Sequence, residues 1–357
     1  MTKVLICDDS ALMRKQLSTV LTDAGFIVDF ANDGKHCLDK IAEFKPNVVT
    51  LDINMPVMDG LTCLKQIMKD MPVPVVMISS LTEKGAKASF EALEYGAVDY
   101  IPKPSGAISI FKPEAINMIV QKVRNAAKMR VAKRVSFREK FERSQQKSIY
   151  QAKANSIQHI SRGRNTKLDL IVMGVSTGGP GTIQEIISSL PADFAVPIVI
   201  AQHMPERFTS VFANRLNGAC AMSVSEVTSE SHLQPGNVYI AKGDADIEIR
   251  KRGATLYAAS IGKVSGHIWH PSIEHLVDSA AEQVNCSRLM CVQLTGMGND
   301  GAEAMAKANK KGAKTIAESK ETAVVYGMPR ELVAKGGADQ VLANFKIAHA
   351  ILEAVYG

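Results

Sequence analysis

"IVMGVSTGGPGTI", residues 171–183, decides how the larger half of the chain folds. An apolar run ends in a glycine-rich turn and passes into a stretch suited to a helix. That is the strand–turn–helix step from which parallel α/β sheets are built. The turn has two chemical readings: a loop that cradles phosphate, or a sharp turn that presents Ser176 as a nucleophile. The glycines fail G-x-G-x-x-G because Ser176 stands where the second glycine is required, and no G-K-[ST] follows to make a P-loop. G-x-S-x-G does match at 174–178, the spacing of a nucleophile elbow, in which small flanking residues permit a tight turn. Five residues alone leave the phosphate loop and the simple turn open.

A nucleophilic serine needs a base, and the base needs an orienting acid. His203 follows the apolar run of "PIVIAQHMP", and Asp300 lies in "MCVQLTGMGNDG" (290–301), again after an apolar run. Sites in parallel sheets lie at the carboxyl ends of the strands. Ser176, His203 and Asp300 are therefore expected on one rim, although a strand-end histidine is often structural and an Asp before Gly is often a turn residue. "GHIWHPSIEH" holds His267, His270 and His275, but a strand–turn–helix placement suits a shared metal poorly. Trp269, the single tryptophan, reads as packing.

Residues 1–110 repeat the same alternation. "KVLIC" (3–7), "IVDF" (27–30), "NVVTL" (47–51), "VPVVMI" (73–78) and "AVDYI" (97–101) read as strands, with helices near 10–24, 33–44, 59–70 and 84–95. Asp8 and Asp9 end the first strand, Asp52 the third and Ser79 the fourth, while Lys103 follows the fifth. Carboxylates gathered on one rim repel one another, and a divalent cation with a taste for oxygen, Mg²⁺, relieves that repulsion. Beside it a carboxylate can attack a phosphoryl donor, with Lys103 and the Ser79 hydroxyl steadying the transferred oxygens. Strand-end acids that merely cap helices are the alternative.

Charge divides the chain. Residues 1–111 carry 11 Lys/Arg against 14 Asp/Glu, residues 112–167 carry 15 against 3, and residues 168–357 carry 16 against 19. Two mildly acidic parts flank a basic connector. The connector reads as a solvated tether, an electrostatic docking segment for an acidic partner, or a nucleic-acid contact, the last without any accompanying helix-turn-helix. No run of about 18 apolar residues is present, so no membrane insertion is expected. The N-terminus lacks the pattern of a signal peptide. Six cysteines without a CxxC pair read as reduced thiols in a cytoplasmic protein.

Two resemblances follow from these motifs. "DD" (8–9), "LDINMPVMDG" (51–60), "MISS" (77–80) and "YIPKP" (100–104) make residues 1–122 resemble a two-component receiver domain. The resemblance implies phosphorylation at Asp52 by a sensor histidine kinase. It also implies a Mg²⁺ ion held by Asp9, Asp52 and the Asn54 carbonyl, with Asp8 acting through water. Ser79 and Tyr100 match positions that rearrange on phosphorylation; Tyr100 also reads as an ordinary half-buried aromatic.

"GVSTGG", "QHMP" and "LTGMGNDG", with "YIAKGD" (239–244), "HPS" (270–272) and "VVYGMPRE" (324–331), resemble the chemotaxis protein-glutamate methylesterases. That resemblance implies a Ser176–His203–Asp300 triad and oxyanion donors at the backbone amides of Thr177 and Met297, with no cofactor for ester hydrolysis. His270 matches the family's histidine before a helix. The expected architecture is α/β. It comprises a flavodoxin-like receiver (1–122), a basic linker (123–167) and a Rossmann-like methylesterase domain (168–357), each domain a doubly wound parallel sheet. The implied function is hydrolysis of glutamate γ-methyl esters, and deamidation of glutamine, on methylated chemoreceptors under control of phosphorylation. The rival reading is a response regulator whose second domain binds a partner or nucleic acid without catalysis.

Overall fold

The computed structural model describes residues 1–104, 111, 113–129 and 166–357, and each of two compact units, Met1–Ser148 and Ile149–Gly357, is described by itself. Most of the connector 123–167 lies outside the described residues, and so do the readings attached to it. No helix among the described residues is long and apolar enough to cross a membrane.

The first unit runs β1 (Lys3–Cys7), α1 (Ala11–Asp23), β2 (Ile27–Ala31), α2 (Gly34–Phe44), β3 (Val48–Asp52), α3 (Gly60–Asp70), β4 (Val75–Ser79), α4 (Glu83–Glu94), β5 (Asp99–Pro102) and α5 (Pro113–Ala126). Its strands form a five-stranded parallel sheet in the order β2-β1-β3-β4-β5. β3 and β4 are buried along their whole length, which is why they read as unbroken apolar runs. Side chains of Ser10, Asp33, Asp59 and Thr82 cap α1 to α4 by accepting a backbone N–H of the first turn. α5 continues past residue 122 to Ala126, and Val123 and Ala126 are buried.

The second unit begins with β6 (Leu170–Val175), α6 (Gly179–Ile187), β7 (Ile198–Gln202), α7 (Glu206–Ala219), β8 (Ser223–Val227), β9 (Glu230–His232), β10 (Asn237–Ala241), β11 (Asp246–Arg252) and β12 (Thr255–Ile261). It continues with α8 (Ile273–Gln283), β13 (Leu289–Gln293), α9 (Ala302–Lys310), β14 (Lys314–Glu318), α10 (Met328–Ala334), β15 (Gln340–Leu342) and α11 (Asn344–Tyr356). Seven strands pair in parallel in the order β15-β14-β13-β6-β7-β10-β8. β6, the first strand, is central, so the winding reverses there and opens a crevice at the carboxyl ends. Leu170, Val172, Val199, Leu276, Val277 and Met305 belong to the buried core that packs helices onto this sheet.

A second sheet lies outside the expected architecture, and β8, β10, β14 and β15 extend the parallel sheet beyond the three strands expected from the sequence. β9, β11 and β12 form a separate antiparallel sheet in the order β11-β12-β9, built on a hairpin in which Arg252 pairs with Thr255 across a two-residue turn.

The turn after β6 requires a glycine. Gly178 has φ +79°, and a Cβ there would run into the Val324 side chain. Gly178→Ala is expected to destabilise the second unit by about 2 kcal/mol or more, from left-handed strain plus crowding. Urea unfolding followed by Trp269 emission checks this, and an unchanged midpoint would contradict it.

Candidate active site

β13, β6 and β7 are neighbours in the second sheet, and beyond their carboxyl ends lie Asp300, Ser176 and His203. The three expected residues are thus on adjacent strand ends. Backbone bonds lace those ends together: His203 N–H donates to Val175 O at 3.0 Å, and Ser176 N–H to Thr295 O at 2.9 Å. Buried Gln202 adds a clamp, its Nε2 donating to the carbonyls of Ser176 (3.0 Å) and His203 (3.1 Å).

Asp300 faces His203 and the start of α8 together. Its Oδ2 accepts from His203 Nε2 at 2.7 Å and from Ile273 N–H at 2.8 Å. Its Oδ1 accepts from Glu274 N–H at 3.0 Å and lies 3.4 Å from the Ser272 hydroxyl. Burial alone would raise the carboxyl's pKa. The bond and charge of His203 and the two amides outweigh it and hold the group below its ordinary value. An ionised Asp300 fixes the proton of a neutral imidazole on Nε2 and leaves the lone pair on Nδ1. That Nδ1 is buried and has no hydrogen-bond partner.

Ser176 is half-buried at the start of the tight turn that Gly179 N–H closes by donating to Ser176 O at 2.9 Å. α6 follows at once, and no side chain caps its N-terminus. Its positive end is therefore available beside the serine. Thr177 is buried, with its carbonyl accepting from the Thr295 hydroxyl at 2.8 Å. Gly296 comes so close that a Cβ on it would lie 2.8 Å from Ser176 Cβ, and Met297 follows it in the chain. Thr295 is held in turn by buried Glu318, whose Oε2 accepts its N–H at 2.8 Å and whose carboxyl burial pushes up to about 7.

The histidine-rich stretch divides its tasks. His270 Nδ1 pairs with buried Asp246 at 2.8 Å, and the His267 and His275 rings lie with centroids 5.9 Å apart and planes tilted by 60°. Trp269 packs, as the sequence suggests, and it packs on His203 itself, with ring centroids 5.2 Å apart.

In the first unit, one ligand oxygen from each of Asp8, Asp9 and Asp52 lies within 4.8 Å of the others, the only such cluster of His, Cys, Asp or Glu among the described residues. Lys103 Nζ bridges Asp8 (2.9 Å) and Asp52 (2.8 Å). Asp52 Oδ1 also accepts from Ile53 N–H at 2.8 Å. Burial, reinforced by the Asp8 charge and opposed by Lys103, raises the Asp52 carboxyl to about 6. Hard oxygen donors this close, with one lysine to offset them, suit a divalent cation such as Mg²⁺. Asn54 is exposed two residues past β3; the Ser79 hydroxyl donates to Gly85 O at 2.9 Å; Tyr100 is buried, its hydroxyl pKa raised by burial and by Asp99.

Residues 171–351 match the family described as CheB methylesterase, and residues 4–113 match the response regulator receiver domain. The chain belongs to the CheB methylesterase family. It is 46% identical over 353 residues to protein-glutamate methylesterase/protein-glutamine glutaminase 3 of Rhodospirillum rubrum, covering 98% of this chain and 95% of that one. A Rhodopseudomonas palustris relative with the same activities in its name is 43% identical over 358 residues, covering 99% and 98%. The crystal structure of the Thermotoga maritima CheB methylesterase catalytic domain superimposes with a TM-score of 0.50 at 37% identity, covering 52% of this chain and 98% of that one.

For this methylesterase-family chain, sequence reasoning missed Gln202, Asp246, Glu274 and Glu318. Each is a polar residue that reads as surface until the fold buries or half-buries it. A polar residue at the end of an apolar run, as Gln202 and Glu318 are, was the available signal.

The Asp52 shift can be tested directly. Between the unshifted 3.8 and about 6 the folded unit keeps a proton that the unfolded chain has released, so this group's contribution to stability falls as pH rises through that window. A ¹³C-carboxyl NMR titration without divalent cation is expected to show a midpoint near 6 for Asp52. Saturating Mg²⁺ should move it down, because a cation favours the carboxylate. A midpoint in the ordinary carboxylate range, insensitive to Mg²⁺, would contradict the arrangement.

Proposed function

We propose that this chain hydrolyses glutamate γ-methyl esters, and deamidates glutamines, on chemoreceptors, with Ser176 as nucleophile, His203 as base and Asp300 as orienting acid. The observation that carries the proposal is the 2.7 Å bond from His203 Nε2 to Asp300, which leaves a buried, unpartnered Nδ1 at the rim where Ser176 stands. Family membership supports this reading over that of a regulator without catalysis.

Ser176 Oγ attacks the ester carbonyl carbon as His203 Nδ1 takes its proton, and the carbonyl π electrons move onto oxygen. The backbone amides of Thr177 and Met297, beside the positive end of α6, stabilise that oxyanion. Collapse breaks the C–OCH₃ bond, and His203 returns the proton to the departing methoxide, giving methanol. Water, deprotonated by the same nitrogen, adds to the acyl carbon; the C–Oγ bond breaks and His203 returns the proton to Ser176 Oγ, leaving glutamate and the free enzyme. Asp300 takes no proton; it keeps Nδ1 as the basic nitrogen and stabilises the imidazolium. A primary amide passes through the same steps with ammonia as leaving group.

The first unit supplies control. Asp52 accepts a phosphoryl group from a sensor histidine kinase, with Lys103 and the Ser79 hydroxyl receiving the new oxygens and Tyr100 repacking in response. Asp9, Asp52 and the Asn54 carbonyl would hold Mg²⁺, with Asp8 acting through water, and the ion supplies charge neutralisation when bound. Receiver domain 1–122, linker 123–167 and catalytic domain 168–357 are the working division, in a cytoplasmic protein. Phosphorylation activates only by favouring one arrangement over another, about 1.4 kcal/mol for each tenfold gain.

Ser176→Ala is expected to lose at least about 10³-fold in methanol release from methylated receptor membranes while Asp52 still accepts phosphoryl groups. Asp52→Asn should leave the hydrolase unresponsive to phosphodonors. Normal turnover by Ser176→Ala would end the nucleophile assignment.

A further inference from the structure

Trp269 is the chain's single tryptophan, and its ring lies nearly parallel to that of His203, with an interplanar angle of 16° and centroids 5.2 Å apart. The loop that presents it is built to hold it there. Buried Asp246, at the start of β11, accepts from Val264 N–H (2.7 Å) and pairs with His270 Nδ1 (2.8 Å) through Oδ2, and accepts from Ser272 N–H (2.7 Å) through Oδ1. One carboxylate thereby ties both ends of the loop 264–272. Within the loop Ile268 is 85% exposed, so the segment is not held by burying its own aliphatic side chain. The Asp246 clamp and the aromatic contact hold it, together with Asp244 N–H donating to His270 O at 3.3 Å and the His267–His275 ring contact.

That contact has a consequence for the reaction. His203 becomes an imidazolium each time it takes the serine proton, and its side chain is only 6% exposed. An indole face stabilises a cation, and more strongly when the cation is desolvated. A parallel ring also resists the rotation that would exchange Nδ1 and Nε2. Asp300 fixes one nitrogen, and Trp269 fixes the plane.

We propose that Trp269 is a positioning residue for hydrolysis, holding the plane of His203 and stabilising its imidazolium. This rests on the reading of His203 as the base. Asp300 bonds Nε2, and Glu274 on α8 is coupled to Asp278 and Asp300; at the start of α7 Glu206 pairs with Lys242 and donates its N–H to Asp244. His270 and Asp246 stand beside Trp269 in the chain and at its loop ends. All are retained when Trp269 is replaced, so a change in the behaviour of His203 reports the ring.

The test uses the full chain, phosphorylated, on methylated receptor membranes, comparing Trp269→Phe and Trp269→Leu with the parent. Trp269→Leu keeps apolar bulk without a π face. It is expected to lose about tenfold in kcat with KM unchanged, and the acid limb of its pH profile should move to lower pH as the imidazolium loses its support. Trp269→Phe should recover most of the rate. Emission of the single tryptophan in the unsubstituted chain gives a readout independent of turnover. It should be quenched as His203 protonates, and His203→Gln should abolish that transition. A Trp269→Leu enzyme with full kcat and an unmoved acid limb would overturn the proposal and reduce the residue to packing. So would a quenching transition that persists in His203→Gln. Full activity in His203→Gln would instead sink the catalytic reading itself, so the two failures are distinguishable.

Discussion

The second unit depends on one buried carboxylate. Asp300 joins the end of β13 to the end of β7 and to the first turn of α8, accepting from His203 Nε2 and from the amides of Ile273 and Glu274. A buried charge is tolerated only when donors replace its water, and a helix N-terminus supplies them ready-made. The neighbouring Glu274 shows the other side of that arrangement. Burial, together with the charges of Asp278 and Asp300, pushes it up to about 7 while it accepts the Gly301 N–H. Of two adjacent acids, the one that also receives the histidine stays ionised, and the other, given backbone amides alone, holds its proton longer.

The first unit gathers acids at strand ends and gives each few donors. Asp52 has one backbone donor and shares Lys103 with Asp8, and its carboxyl is raised to about 6. The contrast follows function in the proposed scheme. An acid that orients a base must be static and ionised, so it is fully bonded. An acid that is to be modified, beside a cation, must keep valences to spare.

How much of this was legible in sequence depended on periodicity. The central strands β6, β7 and β13 are buried apolar runs, and topology puts the residues after them at one rim, which is why Ser176, His203 and Asp300 read together. The antiparallel sheet of β9, β11 and β12 was not read, because a three-residue strand and the charged end of β11, "RKR", carry little alternation. Asp246 was invisible as a loop clamp, because its donors are Val264, His270 and Ser272, 18 to 26 residues away. Spacing also cannot say which imidazole nitrogen meets the acid. Ring orientation is set by the approach of α8 and by Trp269, both consequences of packing.

In the proposed mechanism Asp300 holds His203 as the Nε2–H tautomer, with Nδ1 as the base. Nitrogen-15 NMR of histidine-labelled protein at a pH where His203 is neutral tests it most directly. The His203 proton is expected on Nε2, with a non-protonated Nδ1, in the parent chain, and that preference is expected to be lost in Asp300→Ala. A His203 proton on Nδ1, or a tautomer indifferent to removal of Asp300, would contradict it.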